Sequence, residues 1–400
     1  MKKWIFSVGM LFISAGLFAQ VKNTENSNYQ FTKVAHLDAN PVQSQGNTGT
    51  CWSFSALSFF ESEMIRKGNK TPDRLSEMYV ARKAYEGKAD KYIRMDGKSN
   101  FSEGGAFHDI PYVFKNYGIV PEQIYKGYQG EKQYYNHNEM FNILDGVVEG
   151  VLKYSSNLKP GTSLSPQWKS AVTGVLDAYL GKDVQEFEFK GKKYTPKTYM
   201  ASLNLNMDDY VSITSFTNHE VNKPCQLEIQ DNWGAGMSYN VALGDLFKVA
   251  EYALKNGYTI AWASDVSEKG FSFQNGIAIF PEDLSTINVS GKDNKNFSDG
   301  GAERSSNAFL NPGKEIKVTP ENRQEGYDNK TTTDDHGMHI TGLYKDQNGT
   351  NYFLVKNSWG TSNYPQGYLY VSEAYFNYKT INIYLHKDGV PKDVRKKLNF

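Results

Sequence analysis

The sequence predicts an α+β chain with a helical part and a β-rich part, and three stretches predict it. After Cys51 the residues WSFSALSFFESEMIRKGNK place Phe54, Leu57, Met64 and Ile65 near a helical period, with Arg66, Lys67 and Gly68 as a stop. MFNILDGVVEGVL is apolar-periodic and also reads as helix. Between residues 336 and 357, Ile340, Leu343 and Tyr344, then Tyr352 to Val355, read as two strands joined by the turn DQNG, a hairpin.

Taken from the start, the chain opens MKKWIFSVGMLFISAGLFAQ, in which Lys2 and Lys3 precede an apolar run and the small residue Ala19. This is the layout of a secretory signal peptide over residues 1–19, so export to periplasm or medium is expected. No later apolar run has bilayer-spanning length, and no membrane association is expected after cleavage. Lys and Arg number 44 against 44 Asp and Glu; without Lys2 and Lys3 the balance is 42 against 44, a formal net charge of minus two. That balance excludes a nucleic-acid footprint. With 39% hydrophobic residues the chain can bury a large core, as one elaborated enzyme unit or two modules.

Only Cys51 and Cys225 are present, too few for a disulfide framework, so stability is expected from the core. Cys225, in NKPCQLEIQ, reads as a small buried hydrophobe. Cys51 differs because turn and cap formers, GNTGT, precede it and a helix follows. Its sulfur is expected beside the first free N–H groups of that helix, where the dipole favours the thiolate.

A thiolate that attacks carbonyl carbon also needs an imidazole, a group to hold that ring, and donors for the oxyanion. His336 stands at the start of the first hairpin strand and Asn357 just past the end of the second, so the hairpin lets one hold the other. The run DDHGMH admits a metal-site reading, yet His336 and His339 are three apart on a strand and face opposite sides, and no further cluster completes a shell. Neither metal nor cofactor is expected.

These residues resemble the papain-like cysteine peptidases in four separated places: QGNTGTCWSF with Gln45 ahead of Cys51, SEGGAF with Gly104 and Gly105, DHGMHITG with His336, and KNSWG with Asn357 and Trp359. The resemblance implies a two-lobed fold in which Cys51 is the nucleophile, His336 the base and then acid, Asn357 its orienter, and Gln45 an oxyanion donor. It also implies that Trp359 shields the Asn357 hydrogen bond and that Gly104 and Gly105 offer close backbone approach to an extended peptide substrate. Gln45 suits its role physically: an amide donates N–H without titrating.

The resemblance is greatest to the bleomycin hydrolase and aminopeptidase C branch, through NYGIVPEQIY, KYTPKTYM, NGYTIAWASDV and INIYLHKDGVPKDVRKKL, and through Thr48 where papain-type enzymes place a disulfide cysteine. It implies a helical lobe over about 40–130, an insertion over about 130–240, and a β-rich lobe over about 241–400, the whole peptidase domain spanning 20–400. In that branch such insertions mediate hexamer assembly, so a homo-oligomer is implied. The polar run over about 286–334 reads as a long surface excursion. Relatives carry a C-terminal arm that limits them to N-terminal residues, and the ending LNF is read as a truncation of it, which leaves both an aminopeptidase and an open-cleft endopeptidase in view. Two further readings fit less well: acyl transfer to an amine, which does not explain Gln45, and a silent peptide-binding protein, which does not explain an intact set of four residues.

Overall fold

The computed structural model describes residues 21–128, 134–290 and 303–400. The leader expected at residues 1–19 lies outside the described residues. Among those described, no helix is long and apolar enough to cross a membrane.

The helix Cys51–Arg66 is the central element, with Trp52 through Met64 all buried. A helix buried on every side must satisfy its polar residues internally. Ser53 donates to the Glu77 carbonyl at 2.9 Å and Ser62 to that of Asp38 at 2.8 Å. Glu63 takes a two-pronged contact from Arg66 at 2.7 and 2.8 Å. Glu61 accepts from the Leu75 N–H at 3.0 Å and from Asn40 at 2.8 Å.

One side of this helix packs on a helical layer formed by Glu77–Arg94, Asn138–Ser155 and Gln167–Leu180. The second of these contains the MFNILDGVVEGVL stretch, whose Met140, Leu144 and Val148 are fully buried. Arg82, itself buried, ties the layer together by pairing with Asp177 at 2.6 Å.

The other side faces an eleven-stranded sheet. Its centre runs Tyr210–Thr214, Thr380–His386, Ile260–Ser264, His336–Lys345, Asn351–Lys356 and Tyr368–Ser372. The hairpin lies as read, with Ile340 opposite Val355 and Leu343 opposite Phe353. Phe59 and Phe60 of the central helix pack edge-on against Tyr210 and Tyr384, joining the two layers.

Two expectations change. Residues 210–240 are not insertion alone, because Tyr210–Thr214, Lys223–Gln226 and Met237–Asn240 are strands of the main sheet. Tyr210–Thr214 is buried along its whole length and pairs Ile213 with Ile383 near the chain's other end, a non-local partner that local pattern does not reveal. Nor is the polar run 286–334 a plain surface excursion over its described part, residues 291–302 lying outside the described residues. It contains the helix Pro320–Asp328, opened by a Thr319–Asn322 capping box. Buried Arg323 on that helix donates to the carbonyls of Ser215 at 2.6 Å and Asn377 at 2.8 Å, and also to that of Thr380. Its donors to backbone oxygens, with the guanidinium over the Phe216 ring at 4.4 Å and Tyr327 stacked on the same ring, anchor the segment.

Candidate active site

The loop before the central helix is pinned from both sides. Gln45 N–H donates to the Ser358 carbonyl at 2.8 Å, and Ser44 bridges to Trp359, which fastens the loop to the segment after the hairpin. The Gly49 N–H donates to Glu103 at 2.6 Å, and the Trp52 indole N–H to the Glu103 carbonyl at 3.1 Å. Gly46 has φ +61°, and a side chain there would meet the Tyr135 carbonyl oxygen at 2.4 Å, so only glycine makes this turn. The helix then starts at Cys51, the one residue between Thr50 and Met64 that keeps some exposure.

Cys51 and His336 line one pocket with Trp52, Gly105, Phe107, Asp231 and Asp334. Gly337 makes this meeting possible. A Cβ at 337 would lie 2.8 Å from Ser55 Oγ and 3.2 Å from Trp52 Cα, so the strand carrying His336 lies directly on the first turn of the helix. From there the Gly337 N–H reaches the Cys51 sulfur.

His336 Nε2 and Asn357 Oδ1 are 2.7 Å apart, and the same Oδ1 accepts the Ser358 N–H at 2.8 Å. The Ser358 contact identifies that atom as oxygen, an acceptor only, so Nε2 carries the proton and Nδ1 keeps a lone pair. Trp359 covers this pair, its ring 4.7 Å from the His336 ring, and Phe271 and Phe273 back it. It is buried and lies outside the cavity lining.

Gln45 is buried, its Oε1 accepting from Ser358 Oγ at 2.6 Å and its Nε2 donating to the Thr48 carbonyl at 2.7 Å. An amide nitrogen has two hydrogens, so one N–H is left over. The glycine pair divides. Gly105 lines the cavity, whereas the open face of Gly104 is filled: a Cβ there would fall 2.2 Å from an Asp231 carboxylate oxygen. His339, on the opposite face from His336, is fully buried and bonded through Nδ1 to Ser58 Oγ at 2.9 Å.

Burial and the helix start act on the Cys51 sulfur in opposite senses. Burial pushes the Cys51 thiol up to about 12; the Gly337 and Trp52 N–H groups oppose this, and the carboxyls of Asp231 and Asp334 add to it. Burial likewise takes His336 down to about 4, against the favourable contacts of Asn357 and Asp335. The helix start does act on the sulfur, but desolvation outweighs it. Asp335 is held below the usual carboxylate range: burial would raise it, and hydrogen bonds from Asp265, Thr333 and Ser267 more than offset that. Sequence reasoning missed Gly337, Ser358, Asp231 and Asp334; of these Gly337 and Asp334 stood in the DDHGMH run and Ser358 in KNSWG, while Asp231 stood in no motif singled out.

A thiol at a helix start, an imidazole fixed by an amide, and a second amide with a spare N–H define a cysteine peptidase of the papain-like fold. Residues 27–157 match the papain family cysteine proteases and residues 314–400 the peptidase C1-like family, and the chain belongs to the papain-like cysteine peptidases. It is similar to aminopeptidase C of Lactococcus lactis subsp. cremoris, 23% identical over 389 residues that cover 88% of this chain and 82% of that one. It is also similar to bleomycin hydrolase of Gallus gallus, 24% identical over 412 residues covering 91% and 84% of the two chains. Among solved structures, that of pepw from Lactobacillus rhamnosis hn001 superposes with a TM-score of 0.69 at 19% identity, covering 92% of this chain and 84% of that one.

Proposed function

We propose that this chain hydrolyses peptide bonds through Cys51 and, like the aminopeptidase C and bleomycin hydrolase relatives, removes residues from peptide N-termini. The observation that carries the reading is the 2.7 Å contact between His336 Nε2 and Asn357 Oδ1, which leaves Nδ1 as a base in the cavity that Cys51 shares. The thiol's proton passes to His336 and the sulfur, as thiolate, attacks the carbonyl carbon. Gln45 and the Cys51 N–H take the oxyanion. The imidazolium then protonates the leaving amine, and water, deprotonated by His336, releases the acyl group from sulfur. Asn357 holds the ring through this exchange, and Trp359 keeps water from the His336–Asn357 hydrogen bond. The leader-like first residues support action outside the cytoplasm.

An epoxide-bearing peptide with mass mapping tests the nucleophile: Cys51 should be labelled and Cys225 should not. Rates on a free-amine peptide and its N-blocked counterpart test the mode. Equal cleavage of both would favour an open-cleft endopeptidase over the aminopeptidase reading, and labelling of Cys225 in place of Cys51 would remove the assignment altogether.

A further inference from the structure

The helix Glu77–Arg94 sends one ammonium group beneath the glycine pair. Lys88, 0% exposed, donates to the carbonyls of Ser102, at 2.9 Å, and of Gly104. No carboxylate pairs with it among the described residues; Asp231, Asp109 and Glu103 act on it only through space. A buried ammonium held by carbonyls alone is costly, and an apolar side chain would pack there without that cost. What the ammonium adds is the orientation of two peptide groups.

The rest of this loop is fixed as firmly. The Glu103 carbonyl accepts the Trp52 indole N–H at 3.1 Å, and the Ala106 N–H donates to buried Asp109 at 3.1 Å. Gly105 lies against Trp52, where a Cβ would fall 2.7 Å from the ring. It lines the pocket of Cys51, and its own N–H and C=O have no hydrogen-bond partner among the described residues.

Two peptide units flank Gly105, and each is gripped at its inner end. In a trans unit the C=O and N–H point opposite ways. Lys88 holds the C=O of the unit whose N–H belongs to Gly105, and Asp109 holds the N–H of the unit whose C=O belongs to Gly105. Neither Lys88 nor Asp109 lines the pocket, so both free groups of Gly105 are turned away from the buried charges and toward it. A residue of an extended peptide can exchange two hydrogen bonds with a glycine so presented.

We propose that Lys88 is a positioning residue for the substrate backbone, acting through the Gly104 carbonyl on the N–H of Gly105. This rests on the peptidase reading and concerns how that site holds its peptide. Lys88 itself contacts neither Cys51 nor His336; its two partners are carbonyls of the loop.

Inactivation kinetics with two reagents test it: an epoxide-bearing peptide, which uses the backbone pairing, and iodoacetamide, which needs only the thiol. In Lys88→Met the half-saturating concentration of the epoxide peptide should rise about tenfold, the effect of losing one or two neutral hydrogen bonds. Its limiting rate, and the iodoacetamide rate, should stay near those of the unmutated chain. Lys88→Arg, which keeps the donors, should recover part of the loss. If Lys88→Met does not fold, Lys88→Gln, one bond shorter and so withdrawn from both carbonyls, is read in the same way. Equal losses with both reagents would mean general support of the cleft and overturn the inference, as would an unchanged affinity for the peptide. The expected split, without hydrolysis of any peptide by the unmutated chain, would leave the positioning role standing and defeat the peptidase reading alone.

Discussion

His336 Nε2 sits 2.7 Å from Asn357 Oδ1, an oxygen that also accepts the Ser358 N–H, so a single amide sets which imidazole nitrogen is free. Asn357→Ala should leave the fold but let the ring turn. A displacement of that kind costs about a hundredfold in rate, and it should appear in kcat with KM little changed. Asn357→Asp should instead favour the protonated ring. Because His336 accepts a proton only above its pKa of about 4, activity on a free-amine peptide should fall away below that pH, and the aspartate variant should move the fall upward.

Gln45 is held at both ends of its amide, Oε1 by Ser358 and Nε2 by Thr48. Gln45→Ala removes an oxyanion donor, which typically costs about 3 kcal/mol of transition-state binding, or ~10²–10³ in kcat. Gln45→Glu preserves the shape but turns acceptors toward both the Thr48 carbonyl and the oxyanion, and should do no better. Single-turnover acylation rates distinguish this from slow product release.

His339 shares the DDHGMH run yet faces Ser58, which also accepts from Lys356 Nζ at 2.7 Å. His339→Ala should lower stability by about 2–4 kcal/mol, as other large-to-small core changes do, while Cys51 still reacts with an epoxide peptide. Loss of labelling equal to that of His336→Ala in a folded protein would reverse the assignment of the base.

What the sequence reveals here is what depends on neighbours along the chain. The start of the central helix follows from GNTGT before an apolar-periodic run, and the hairpin from DQNG between two strands; both place Cys51, His336 and Asn357. Tyr210–Thr214 is hidden because its partner is Thr380–His386, and Arg323 because the carbonyls and the Phe216 ring that it meets are far along the chain. The burial around Cys51 escapes a sequence reading for the same reason: the helix start is local, but the burial that pushes the thiol up comes from the whole cleft.

Gly337 carries no functional group, yet the site depends on its missing side chain. In Gly337→Ala the new methyl would meet Ser55 Oγ at 2.8 Å and Trp52 Cα at 3.2 Å, and the latter is backbone that cannot swing away. The strand must lift from the helix, taking His336 from Cys51. Epoxide labelling and kcat/KM should fall at least tenfold, whereas melting shifts modestly. Adding Ser55→Ala removes one of the two collisions and should restore part of the activity; no recovery would mean that the Trp52 contact alone sets the distance.

Asp109, under Gly105, offers a stability test of the same cleft. It is buried, accepts the Trp233 indole N–H at 2.8 Å and the Ala106 N–H at 3.1 Å, and burial pushes its carboxyl from 3.8 up to about 7 despite these donors and Lys88. Between those pH values the native state holds a proton that the unfolded chain releases. Stability from this group therefore falls as pH rises from about 4 to about 7, by up to about 4 kcal/mol for three units. Asp109→Asn retains an acceptor for Trp233 and cannot ionise. Other buried groups titrate in both proteins, so the informative quantity is the difference between their denaturation free energies at each pH. That difference should move in favour of the Asp109→Asn protein across this window and level off above it; a flat difference would show that Asp109 is already ionised at about pH 5 and that Lys88 is its true counter-ion.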